Sequence, residues 1–129
     1  MPIMTPADVN ARSVDYADKQ MQLDQTDPTN AIVALAGGGQ ANAIAFTKHV
    51  NRVVTVATAA DSVKLPLAVA GCFPVIVINA AGANSMNVFP SLGDAINALS
   101  ANTAFAMAAN KTAIFFCAVS GTWNSILTA

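Results

Sequence analysis

From Ala31 onward the chain is written in short runs of alternating apolar and polar residues, each stopped by Gly, Pro, Asn or Asp. Residues 31–35 run into Gly37-Gly38-Gly39, and residues 43–47 and 52–57 alternate in the same way. In 61–65, Val63 and Leu65 share one face and Ser62 and Lys64 the other. Val75-Ile76-Val77-Ile78-Asn79 is apolar on both faces, the pattern of a central strand or of one covered by another subunit. Alternation resumes over 85–89 and stops at Pro90, and 95–99 reads as a connector or a strand. Residues 102–108 put Phe105 and Met107 on one face. Asn110-Lys111 then turns the chain into 112–119, and Ser120-Gly121 into a last strand over 122–127. Short strands with turns about every ten residues predict an all-β protein, a single sandwich or jelly-roll-like domain of 8–9 short antiparallel strands.

The first 30 residues differ. Thr5-Pro6-Ala7-Asp8 has the order of a helix start, and Val9, Tyr16 and Leu23 recur every seven residues, as one helical face requires. Asp27-Pro28-Thr29-Asn30 reads as a break. The expected division is an N-terminal segment over 1–30, read either as a disordered tail or as a docking arm or short helix, and a β domain over 31–129, with Val9, Tyr16 and Leu23 as candidate contacts of the arm.

Charge changes this picture most. Of 129 residues, 54% are hydrophobic and 10% charged, whereas about a quarter of an ordinary soluble chain is charged. From Leu65 to Ala129 the only charged side chains are Asp94 and Lys111. A small domain needs a polar covering unless its surface meets other protein, so the pattern predicts subunit interfaces. Candidate interface residues in the β domain are Val75, Val77, Phe115 and Trp123; Trp123 reads first as a core or barrel-end plug, and alternatively as an interface anchor. A net charge of −1 argues against a nucleic-acid surface. No apolar run is long enough for a membrane helix, and the N-terminus lacks the pattern of a signal peptide, so assembly in a cytoplasm is expected. Cys72 and Cys117 stand in apolar surroundings and read as free thiols.

Catalytic chemistry finds few materials. His49 is the single histidine, there is no Glu, and no Gly-x-Ser-x-Gly elbow occurs. No helix pattern or Gly-Lys-Ser/Thr follows Gly37-Gly38-Gly39, which reads as a turn and not a phosphate loop. The basic cluster Lys48-His49-Val50-Asn51-Arg52 reads as a solvated turn, or as the partner of acidic residues in a neighbouring subunit's arm. Neither a catalytic residue, a metal ligand nor a cofactor site is expected.

Three stretches carry a resemblance. They are 53–66 (Val-Val-Thr-Val-Ala-Thr-Ala-Ala-Asp-Ser-Val-Lys-Leu-Pro), 78–90 (Ile-Asn-Ala-Ala-Gly-Ala-Asn-Ser-Met-Asn-Val-Phe-Pro) followed by Gly93-Asp94-Ala95-Ile96-Asn97, and 109–123, which ends Ser120-Gly121-Thr122-Trp123. In this order they resemble small β-rich virion proteins of tailed bacteriophages, both capsid decoration (cement) proteins and β domains of tail fibres. The likeness spans about residues 50–129, and departs at Asn124, where an aromatic or His often follows the Trp. It implies a homotrimer that clamps neighbouring major capsid proteins on the outside of a virion, or alternatively a head- or tail-fibre module that binds a host surface. It implies no nucleic-acid or membrane partner.

Overall fold

The computed structural model describes residues 28–37 and 39–129. Ten strands lie among them: β1 (Thr29–Val33), β2 (Ile44–Ala45), β3 (Val50–Thr55), β4 (Asp61–Lys64), β5 (Val75–Asn79), β6 (Met86–Phe89), β7 (Ala95–Ile96), β8 (Phe105–Met107), β9 (Thr112–Val119) and β10 (Thr122–Leu127). A single helical turn, α1 (Gly39–Asn42), follows the glycine run. Most strands fall within two or three residues of the alternating segments. The expected break at 27–30 instead runs into β1, which starts at Thr29.

Their arrangement is not the expected one. The strands form a six-stranded sheet, β1-β3-β5-β9-β10-β7, and a four-stranded sheet, β2-β4-β6-β8. β1, β3 and β5 are mutually parallel, and so are β2, β4 and β6. Each of the pairs β1–β2, β3–β4 and β5–β6 therefore makes one coil, and the coils stack as a β-solenoid. This overturns the antiparallel sandwich or jelly roll. In those folds hairpins pair strands adjacent in sequence. Here β3 and β4 lie in different sheets, and each pairs with a strand one coil away. Alternation cannot separate the two folds, because both bury one face of each of two sheets.

After β6 the winding reverses. β8 pairs antiparallel with β6 and β9 antiparallel with β5, so the fourth layer is crossed from the smaller sheet to the larger. Asn110, at φ 61°, turns the chain between them, a backbone region Asn tolerates better than most residues. β10 then folds back on β9, and β7 joins β10 in parallel at the sheet edge.

Between the sheets lies a core of small and medium side chains: Val53, Val63, Val75, Val77, Met86, Val88, Met107 and Phe115 are fully enclosed. Phe105 meets Phe115 edge-on with ring centres 5.7 Å apart. Trp123 is fully buried, and its indole N–H reaches the Pro66 carbonyl at 3.3 Å.

Corner polarity is met by asparagine and aspartate. Asn79 is completely buried at the end of β5. Its side-chain amide lies 3.1 Å from each of the Asn84, Met107 and Ala108 carbonyls, and its Oδ1 accepts from the Ala81 N–H at 3.2 Å. Asn84 extends the link by donating to the Val56 and Ala57 carbonyls at 2.9 and 3.0 Å in the coil before. One side chain thus ties the corner after β5 to the end of β8. Replacing it with Ala strands several buried backbone groups, each costing about 1–3 kcal/mol. We expect Asn79→Ala to lose about 3 kcal/mol or more in chemical denaturation. Asn97→Gly, which suits the backbone there at φ 53° and removes only exposed bonds to Ser125 N and Oγ, should lose under about 1 kcal/mol.

Candidate interaction surface

Strand pairing sorts the apolar residues of the larger sheet by parity. In β5, Val75, Val77 and Asn79 face the core, leaving Ile76 and Ile78 half-buried on the outside. In β9, Ala113, Phe115 and Cys117 face inward, and Ile114 and Phe116 outward. Residues directly opposite one another share a face. Val50 pairs with Ile76, Ile76 with Ile114, and Ile114 with Ile126. Four β-branched side chains thus form one straight row across β3, β5, β9 and β10 on the outer face.

The row is uncharged, half-buried at Val50, Ile76 and Ile114 and open at its end. Ile126 is 63% exposed, and Phe116, beside it on β9, is 39% exposed. Arg52 and Ile78 flank it on one side, with Arg52 Nη1 3.4 Å from the Asn30 carbonyl. On the other side a shallow open depression of about 280 Å³ is lined by His49, Phe73, Pro74 and Ile76. There the His49 ring stands edge-on to Phe73 at 5.3 Å, and its Nδ1 donates to the Pro74 carbonyl at 3.2 Å. Among the described residues, the elements that pack closely on β3, β5, β9 and β10 are strands of the same sheet. Full burial of a Val, Leu or Ile side chain stabilises by about 1.5–3 kcal/mol, so the exposed part of this row is a reserve for association.

Three candidate interface residues are therefore corrected: Val75, Val77 and Phe115 are each 0% exposed and hold the chain's own core together. Trp123, also 0% exposed, takes the core position that is its first reading and not that of an interface anchor. Apolar residues on both faces of β5 and β9 marked the correct strands, but not which parity pointed inward. Their neighbours Ile76, Ile114 and Phe116 occupy the outer face, together with Val50 and Ile126, which the sequence reading missed. Alternation around Trp123 was the available signal for Ile126. Val9, Tyr16 and Leu23 lie outside the described residues.

The remaining carboxylates of the β domain serve its corners. Asp61 Oδ2 accepts from the Thr58 N–H at 3.0 Å, and Asp94 Oδ2 from the Ala68 N–H at 2.8 Å. Both are buried. Among the described residues no three His, Cys, Asp or Glu side chains gather as metal ligands, and no helix is long and apolar enough to cross a membrane. Burial pushes both the Cys72 and Cys117 thiols above their ordinary pKa. At Cys117, negative charge at Cys72 and then at Asp94 adds to the effect.

No family model matches the chain, and neither do any curated protein or solved structure.

Two outcomes follow from the placement of these groups. Trp123→Ala and Phe115→Ala should each cost about 3–5 kcal/mol of stability in denaturant titrations, as core truncations do. The thiol pKa values, raised in the folded chain, have a signed pH effect. Stability is unaffected by them below the pKa of an unfolded cysteine, about 8.5, and declines as pH rises from there toward the folded values. Denaturation midpoints measured from pH 7 to 10 should fall on the alkaline side, and Cys72→Ser should weaken that fall.

Proposed function

We propose that this protein is a structural virion component that decorates a bacteriophage capsid as a homotrimer and clamps neighbouring major capsid proteins. The observation that carries the reading is the uncharged aliphatic row Val50–Ile76–Ile114–Ile126 on the outer face of the larger sheet. Further copies of the chain suit that row, because they bring the same apolar chemistry, with Arg52 at its margin and not within it. The charge-poor sequence from Leu65 onward is consistent with a surface spent on protein contacts. Many copies of a modest contact suffice for a clamp, since several linked contacts reinforce one another by effective concentration. The motif likeness to phage decoration proteins is the support for a major capsid protein as the larger partner. No chemical step enters the role.

A second reading, a fibre module that binds a host surface, is favoured by the coil stacking itself. A solenoid extends in one dimension by adding layers, as an elongated appendage does.

Light scattering and co-sedimentation test the proposal together. The full chain should run at three times its 13.2 kDa mass and bind saturably to DNA-filled heads assembled without it. Ile114→Lys and Ile126→Lys place charges in the row without touching the core, and should shift the mass to the monomer and weaken head binding at least tenfold. A trimer that ignores heads but adheres to host cells establishes the fibre reading. A wild-type monomer that binds neither overturns both.

A further inference from the structure

Cys72 and Cys117 are far apart in sequence and side by side in the fold. Cys72 ends a tight turn, with its N–H bonded to the Val69 carbonyl at 3.1 Å, in the long corner between β4 and β5. The preceding residue, Gly71, donates its N–H to the Cys117 carbonyl on β9 at 2.8 Å. This bond brings the two backbones together, as a disulfide requires. Cys72 packs against the buried cluster to which Cys117 belongs, and the Cys117 thiol itself reaches the Val119 carbonyl at 3.2 Å. Both are free, Cys117 buried and Cys72 half-exposed. The difference in access gives them an order of reaction, with Cys72 open to a reagent and Cys117 shielded behind it.

We infer that Cys72 and Cys117 are a dithiol that closes to an intramolecular disulfide when the protein meets a small-molecule disulfide oxidant such as oxidised glutathione. The Cys72 thiolate attacks one sulfur of the oxidant, forming a mixed disulfide and releasing one glutathione thiolate. The Cys117 thiolate then attacks Cys72 Sγ, the new protein S–S bond forms, and the second glutathione leaves. Two protein thiols are oxidised and one glutathione disulfide is reduced to two thiols, with the two protons passing to the departing thiolates or to water. The bond ties the corner ahead of β5 to β9, two strands whose outer residues Ile76, Ile114 and Phe116 belong to the apolar surface. A protein assembled in a reducing cytoplasm and later released to an oxidising medium would gain this cross-link only after assembly. The inference rests on the thiol geometry and holds whatever the protein's partner.

The test uses the full reduced chain in glutathione buffers of increasing oxidised fraction, followed by whole-protein mass spectrometry and thermal melts. The expected result is loss of two hydrogens with no lasting glutathione adduct. The melting midpoint should rise by on the order of 10 °C, reversed by dithiothreitol, because the bond closes a long loop. In Cys72→Ser the mass should stay unchanged, since the shielded Cys117 is not reached. In Cys117→Ser a single glutathione should remain on Cys72. Two separate glutathione adducts on the wild type, thiols that both stay free in the oxidising buffer, disulfide-linked dimers, or a bond that lowers the midpoint would each overturn the inference. The Cys72→Ser arm keeps the test readable should the buried Cys117→Ser variant fail to fold.

Discussion

Hydrogen bonding along the stack is the interaction on which everything else depends. A coil of two strands of two to six residues cannot satisfy its own backbone or bury its own apolar face. Its N–H and C=O groups point at the coils above and below, so register must agree from layer to layer. The pairings of Val63 with Val88 and of Val53 with Asn79 record that agreement. The reversal after β6 keeps the ladders running while changing their sense: β8, β9 and β10 extend the two sheets in antiparallel form, and β7 closes the larger one in parallel. Buried asparagine and aspartate at the corners make this possible, because a corner turned inside a narrow stack leaves carbonyl and amide groups with little water.

The same geometry decides what the outside looks like. Thin coils give each strand one inward and one outward face, and this chain has filled both faces of β5 and β9 with large apolar side chains. The inward set completes a core built mostly from valine and alanine, with the three large aromatics Phe46, Phe115 and Trp123. The outward set lines up into a row because stacked coils hold equivalent positions directly opposite one another. An apolar face on a protein with so few charges to surround it is therefore a consequence of layer-on-layer register acting on a particular sequence.

Strand positions were legible because apolar runs and the turn residues that bound them are local: 75–79, 112–119 and 122–127 coincide with β5, β9 and β10 to the residue. Parallel or antiparallel pairing is a non-local property, and nothing in the pattern of 52–57 or 75–79 records it. A signal was present in the similarity of one coil to the next. Valine-rich runs, an Ala-Ala step and a closing Pro recur at 53–66 and 75–90, the kind of internal repeat that marks a solenoid. The motifs behind the phage likeness turn out to have structural work of their own. Asn79 and Asn84 secure the corner after β5, Asp94 holds the Ala68 amide, and Asn97 bonds to Ser125. The outer row escaped notice because membership depends on registers across four strands, which no single segment displays.

The central claim is that copies of the chain meet through the outer face of the larger sheet. Hydroxyl-radical footprinting read by mass spectrometry along a dilution series measures this side chain by side chain. The account predicts that Ile114, Phe116 and Ile126 are protected at high concentration and become reactive together on dilution, while Phe115 and Trp123 stay unreactive throughout. Reactivity of Phe116 and Ile126 that is high and unchanged across the whole series, in a protein that nevertheless associates, would contradict it and move the contact elsewhere on the fold.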